Sequence, residues 1–401
     1  MRIEDMRVTV VGAGVGGCAA ALMMARAGAT VTLLERVERA QAVGAGIAIA
    51  ANGFAVLESL GLGPALTDAR PVAEPRIVDG SGRTLLRPPG DAGVRMLRRA
   101  TLQRVLLDAV AAEPGIQTCF GAELIQAAAD GTAFVAQVDG TERAITADLL
   151  IGADGVHSRL RAGLDVGARL QPDGIAYVRA LVPARALNEE AWCSAGVFGS
   201  FDVDNGAYLY ASAGTPSTAA AVERHDLAAF CSAWSRAYPA AAPLLQQLTS
   251  WNELILNRVT TVHCARWSQD RAVLLGDAAH AMAPNLGQGG NSALVDAAVL
   301  VDELFKSPDL RAGLLSYERR RGPAVAKVAA LSARLGALAE ETRSVPRWLR
   351  DRVLLPLAGR LGGDPTAQVL QESPETLRAI GRRAAVRRPA TLATSDRASL
   401  A

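Results

Sequence analysis

Lysine is nearly missing from this 401-residue chain: 42 residues are basic, yet only Lys306 and Lys327 are lysines. Arginine carries almost all of the positive charge as a habit of the whole chain, so no single arginine stands out on that ground. Cysteine is sparse too. Its five copies, Cys18, Cys119, Cys193, Cys231 and Cys264, are scattered and odd in number, and none forms a CxxC pair. That argues against a disulfide framework or a structural metal site and points to a reducing, cytoplasmic setting. Net charge is only +2 and aromatics make up 4% of the chain, which speaks against a nucleic-acid binder driven by bulk charge. There is no internal repeat and no long low-complexity linker. The first strand-like run starts at Val8, so a secretory leader is not expected. One uncharged run, Val8 to Ala25, has the 18 residues of a membrane segment, but four glycines interrupt it. No membrane contact is expected from it.

Half the residues are hydrophobic, enough for a large core and more than one domain. Residues 7–36 read as strand, glycine turn, helix and strand. Val8-Thr-Val-Val11 is β-branched, Cys18 to Ala27 is rich in alanine and methionine, and Thr30 to Leu34 is apolar again. Arg76 to Arg83 carries hairpin turn chemistry. Leu102, Val105, Leu106 and Val110 recur at helical spacing. Between about 174 and 264 the texture becomes sheet-like: Tyr177–Val182 is one run, and Val197–Tyr210 is two runs joined at Asp202-Val-Asp-Asn-Gly206. Helices dominate from Ser292 onward. The tail from Arg378, with Arg382, Arg383, Arg387 and Arg388, reads as a frayed basic terminus.

Two stretches carry chemistry on their own residues. Gly12-Ala-Gly14-Val-Gly-Gly17 follows a strand and opens a helix. Gly12 permits a tight turn, Gly14 lets backbone approach a diphosphate, and Gly17 allows close helix–strand packing. The helix N-terminus supplies free N–H groups for that anion. Glu35 ends the second strand, 18 residues after Gly17, where a carboxylate accepts hydrogen bonds from a ribose. This unit is a dinucleotide site but does not separate NAD from FAD. Far downstream, Gly276-Asp277-Ala-Ala-His280, Pro284 and Gly287-Gln-Gly289-Gly290-Asn291 follow a buried strand and open a second helix. Two such helix starts suit one long cofactor that spans both.

Gly276 to Asp296 strongly resembles the second flavin motif of single-component FAD-dependent monooxygenases of the aromatic-ring hydroxylase type. Ala147 to Arg159, with Asp154-Gly155, resembles that family's Asp-Gly motif, which is implicated in FAD and NAD(P)H contacts. Arg99-Ala-Thr-Leu-Gln103 resembles its arginine-plus-helix segment, and Gly44-Ala-Gly46-Ile47 resembles the segment that passes the isoalloxazine ring. Order and spacing agree over residues 7 to about 325. The resemblance implies an α/β fold: a Rossmann-like FAD-binding domain with an inserted β-sheet substrate domain and C-terminal helices. The FAD-binding domain would comprise 1–73, 98–173 and 265–345, the substrate domain 74–97 and 174–264, and 346–401 the C-terminal helices and basic tail. Carried over residue by residue, Gly12, Gly14, Gly17 and Glu35 would hold the ADP half, with Arg36 near the adenine. Arg99 and Gln103 would approach the diphosphate and ribityl chain, and Asp277 would bond the ribityl hydroxyls. Gly46, Pro284, Gly287, Gly289, Gly290 and Asn291 would line the flavin, and Asp154 would face FAD and the transient NADPH or NADH.

The implied activity is that of an oxidoreductase that inserts one oxygen atom from O2, through a flavin C4a-hydroperoxide, into a small aromatic or polyketide-like substrate. No metal is called for. On the inserted sheet, Tyr177 and Arg179 share one face, as do Tyr208 and Tyr210. Arg179 is the candidate to hold a substrate carboxylate or phenolate, Tyr208 or Tyr210 to relay a proton, and His280 to act as an acid; each has a purely structural reading beside it. Two other activities of the same fold stay open, an FAD-dependent reductase or dehydrogenase and a non-catalytic flavin-binding protein. Oligomeric state is not legible.

Overall fold

The computed structural model describes residues 3–38, 45–88, 93–127, 133–138, 141–357 and 371–386. Its first layer is a six-stranded sheet in the order Ser268–Gln269, Ala272–Leu274, Leu149–Gly152, Arg7–Val11, Thr30–Glu35, Ile116–Phe120. All of its pairings are parallel except that of the edge strand Ser268–Gln269. Val10, Val31, Leu33, Leu150 and Val273 are fully buried, as expected for parallel strands covered on both faces. The helix Val15–Arg26 is buried from Val15 to Ala25, because it is packed against the sheet and the helices Arg99–Ala112 and Gly289–Lys306. That burial accounts for the uncharged N-terminal run.

The second layer is a seven-stranded sheet ordered Ile255–His263, Arg169–Val182, Gly206–Ser212, Gly196–Val203, Glu189–Cys193, Arg76–Val78, Thr84–Leu86. The Asp202–Gly206 stretch forms its hairpin turn, with Asn205 and Gly206 both at positive φ, a backbone conformation that asparagine and glycine adopt most readily. One face of this sheet presents Val178, Phe198, Leu209 and Ala211 to the helices Pro216–Glu223 and Leu227–Ala237, where Phe198 meets Trp234 and Tyr238. The other face turns toward a small sheet of Gly46–Ile49, Arg95–Arg98 and Arg70–Pro71.

The expected frayed tail is corrected as far as residue 386. Pro374–Val386 is a helix with Leu377 and Ile380 buried, and Arg378 pairs with Glu58 at 2.8 Å. Its apolar side packs on the helix Ala51–Ser59, with Gly381 against Ser59, so the arginines sit on the outer side of a docked helix. Arg387 and Arg388 lie outside the described residues, as does Gly44. Among the described residues no helix is long and apolar enough to cross a membrane, and no group of three or more His, Cys, Asp or Glu side chains could hold a metal.

Candidate active site

The parallel ladder runs unbroken into the glycine-bearing loops. Gly12 N donates to Leu34 O at 2.8 Å, Ala153 N to Val11 O at 2.8 Å, and Leu275 N to Gly152 O at 3.0 Å. Glu35, Asp154 and Asp277 therefore converge at the C-terminal edge of one sheet, where open α/β sheets take their ligands. Gly12 sits at φ +98°, and a Cβ on Gly17 would lie 1.8 Å from Gly12 O, so neither position tolerates a side chain. Gly14 faces open space: a Cβ there would meet nothing within 4 Å. It caps the helix without a side-chain bond, leaving first-turn N–H groups free for an anion. Glu35 accepts from Ala13 N at 2.8 Å and Val37 N at 3.1 Å, and Gln103 donates to Ala13 O at 2.6 Å. The loop is thus held by one carboxylate and one amide. Arg36 lies exposed beyond it, and Arg99 is exposed at the start of its helix.

Across the sheet, Gly276 takes a positive φ and presents Asp277, which is exposed between the buried Gly276 and Ala278 and takes no hydrogen bond among the described residues. Its Oδ1 stands 3.8 Å from the Cβ position of Gly289, at the start of the helix Gly289–Lys306, another helix without a side-chain cap. Pro284–Leu286 and Gly287 form the turn before it, and Gly290 rests 3.1 Å from Ile47 at its Cβ position. Among the described residues two buried oxygens, Gln288 Oε1 and Asp154 Oδ1, have no partner. The other oxygen of Asp154 caps the helix Arg159–Ala162 through Arg159 N at 2.8 Å, and burial pushes its carboxyl pKa up. Two open helix N-termini, unpaired Asp277 and these orphaned oxygens suit a dinucleotide with hydroxyl donors and a diphosphate.

Two expected flavin contacts stand differently. Asn291 is fully buried and spends its amide on backbone: it accepts from Ala50 N at 3.0 Å and donates to Ala48 O at 3.0 Å and Gly287 O at 2.8 Å. It stitches the strand Gly46–Ile49 to the glycine turn from behind. The space where Gly46 would carry a Cβ is filled by the Tyr208 ring, 2.4 Å away.

The second sheet brings Arg179, Tyr208 and Tyr210 together. Arg179 pairs in register with Tyr210, and Tyr210 with Gly199. A Cβ on Gly199 would lie 2.0 Å from the Tyr210 ring, so that glycine lets the ring lie flat across the neighbouring strand. The Tyr210 hydroxyl thereby reaches Glu190, whose other oxygen takes Trp192 Nε1 at 2.6 Å. Arg179, Glu190 and Tyr210 stay only partly buried while Trp192, Val197 and Tyr208 around them are buried. Enclosure pushes the Glu190 carboxyl up, and Tyr210 well above the ordinary phenol value, with Glu190's charge adding to it. Tyr208 is raised by burial and eased down by Arg179 and Arg99, and its hydroxyl has no partner among the described residues. Tyr177 donates to Glu340 at 2.8 Å and lies 3.4 Å from Asn285. A surface depression of about 450 Å³ between Phe54, Pro64 and Arg95 holds none of these residues.

His280 does not join this group, which corrects its expected place among the catalytic residues. It is buried behind the Gly276 turn, against the Trp267 ring at 4.8 Å, with Nε2 2.6 Å from Asp296 Oδ2. Asp296 also accepts from Gly276 N at 2.9 Å and from Arg321 Nε at 2.7 Å. Burial pushes the Asp296 carboxyl up, but His280 and Arg321 outweigh it and hold it at about 2. The triad braces the turn that presents Asp277. Sequence reasoning missed Glu190, yet a signal was there: in the run Glu189-Glu190-Ala-Trp192, strand alternation puts Glu190 and Trp192 on one face. Glu189, on the other, is matched by Arg76 and Tyr238.

Residues 5–198 and 220–332 match the family model described as "FAD binding domain". The chain is 32% identical over 384 residues to the 2-heptyl-3-hydroxy-4(1H)-quinolone synthase of Mycobacteroides abscessus, covering 90% of this chain and 97% of that one. It is also 32% identical over 407 residues to the 3-amino-4-hydroxybenzoate 2-monooxygenase of Streptomyces cremeus, covering 92% and 99%. Among solved structures, a variant of 2-methyl-3-hydroxypyridine-5-carboxylic acid oxygenase superposes with a TM-score of 0.76 at 24% identity, over 92% of this chain and 98% of that one.

Proposed function

Since the chain belongs to the family of single-component FAD-dependent aromatic-ring hydroxylases, and is itself an FAD-dependent monooxygenase, we propose that it hydroxylates a small electron-rich ring bearing an oxygen or N–H group. NAD(P)H is the reductant. The observation that carries this reading is the array of Arg179, Tyr208 and the Tyr210–Glu190 pair on the sheet face turned toward the strand Gly46–Ile49. The quinolone and aminohydroxybenzoate named for the two relatives both carry such groups.

FAD, when bound and reduced, supplies an electrophilic oxygen atom drawn from O2. In this reading residues 1–73, 98–173 and 265–345 hold FAD, and 74–97 with 174–264 hold the substrate. Gly12, Gly14, Gly17 and Glu35 hold the ADP half, with Arg36 beside the adenine. Arg99, Gln103 and Asp277 serve the diphosphate and ribityl chain, Pro284, Gly287, Gly289 and Gly290 line the ring, and Asp154 meets the nicotinamide. Arg179 holds the substrate's anionic oxygen and thereby favours its ionised, more electron-rich form. Tyr208, with its hydroxyl uncommitted, orients that oxygen, and Glu190 and Tyr210 accept and donate hydrogen bonds at the far side of the ring. The apolar wall of Phe201, Met96 and Val203 excludes water.

A panel of hydroxylated, amino-substituted and quinolone-type rings, scored by stimulated NAD(P)H oxidation under labelled O2, tests the reading. One labelled oxygen in the product is expected. Stimulated oxidation that yields a product without label would replace it with a reductase.

A further inference from the structure

Twelve large apolar side chains are exposed among the described residues, and six of them fall within thirteen consecutive positions: Val345, Trp348, Leu349, Val353, Leu354 and Leu357. They lie on the helix Ser344–Leu349, the wide π-turn Arg350–Leu354 and the helical turn that runs on to Leu357. The segment cannot roll to hide them. Arg350, 1% exposed, donates to Leu338 O at 2.9 Å, Ala339 O at 3.1 Å and Trp192 O at 3.3 Å, and pairs with Asp351 at 2.6 Å. Leu355 is buried with Trp192 and Ala339. The inner face is therefore nailed to the body of the protein and the outer face is fixed outward.

The charge on that face has one sign. Asp351 is the one acid in residues 344–357, and Arg350 consumes it; Arg352 stands exposed and Arg347 partly so. A two-fold contact between copies of this face would bring like charges together. A surface that offers both hydrocarbon and fixed negative charge satisfies every group, with tryptophan at the boundary. Fourteen residues make a helix of about 21 Å, too short to span a bilayer but long enough to lie along one.

We propose that residues 344–357 form an interfacial helix that docks the protein on an anionic lipid surface. Docking there sets the lipid surface next to the segment whose Arg350 and Leu355 hold Trp192, and through the Trp192 indole next to Glu190.

The test is flotation of the flavin-loaded full chain with vesicles of phosphatidylcholine, alone or mixed equally with phosphatidylglycerol. The protein is expected to float with the mixed vesicles and to be released as salt shortens the screening length. Trp348→Glu combined with Leu357→Glu should cut the bound fraction at least about tenfold while flavin content and melting temperature hold. Arg347→Gln and Arg352→Gln should each weaken binding to the mixed vesicles by about fivefold. Protein that stays in the buffer at low salt, or a double-glutamate variant that still floats, overturns the proposal. So does a dimer in light scattering that the double variant dissociates without any vesicle binding, since the face would then belong to a second copy of the chain.

Discussion

At the scale of single residues, Asp277 and Glu190 differ in how much of their role was legible beforehand. Asp277 follows a buried strand and a glycine, and strand geometry alone sends it to the ligand edge of the sheet. Its carboxylate has no partner among the described residues, so Asp277→Ala should leave the fold intact. It should weaken FAD binding by about ten- to a hundredfold, the worth of a charge-assisted hydrogen bond at roughly 1.5–3 kcal/mol; flavin fluorescence titration of the apoprotein would read it. Glu190 depends on a partner two strands and twenty residues away, Tyr210, and only pairing register reveals it. Because its carboxyl is held above the usual value near ~4.3, the folded chain binds that proton more tightly than the unfolded one. Its contribution is complete below the unfolded value and is lost as pH rises through the folded one. Glu190→Gln cannot ionise and keeps a bond to Tyr210 and Trp192 if the hydroxyl turns to accept. Its melting temperature should stay level where that of the native protein falls, and parallel curves would show that another group titrates.

At the scale of elements, the glycine loops were readable because backbone geometry forces residue type. A position at φ +98° or one 1.8 Å from a carbonyl admits glycine, and the sequence must show it. The orientation of His280 was not readable, since a motif names the residues of a turn but not which side of it each ring falls on. Arg321, 25 residues downstream of Asp296 on another helix, decides that by completing the buried triad. Asp296→Asn would strand Arg321 as a buried unpaired charge, at a cost of about 3–5 kcal/mol, readable by urea unfolding. The native triad should also fail in acid. A carboxyl held at about 2 contributes its full stabilisation above the ordinary value of ~3.9 and loses it as pH falls toward 2. The Asn variant should show a flatter acid limb in the same titration. The terminal helix Pro374–Val386 was misread for a related reason. Its arginines advertise solvent, while the two residues that dock it, Leu377 and Ile380, gain meaning only beside the helix Ala51–Ser59.

At the scale of the whole molecule, the arginine-rich surface and the odd cysteines carried little, and the interleaving of the two sheets carried much. One helix ties those sheets together. Leu310–Ala339 has 30 residues and spans about 45 Å. Near its middle Arg321 grips Asp296 under the Gly276 turn, and at its C-cap Glu340 accepts from Tyr177 and from Ser212 Oγ at 2.8 Å each. A girder fixed to the first sheet's side near its middle and to the second sheet at its C-terminal end leaves neither sheet free to melt before the other. Scanning calorimetry should therefore record one heat-absorption peak whose van't Hoff and calorimetric enthalpies agree. Glu340→Ala, by cutting the far attachment, should broaden that peak or split it in two.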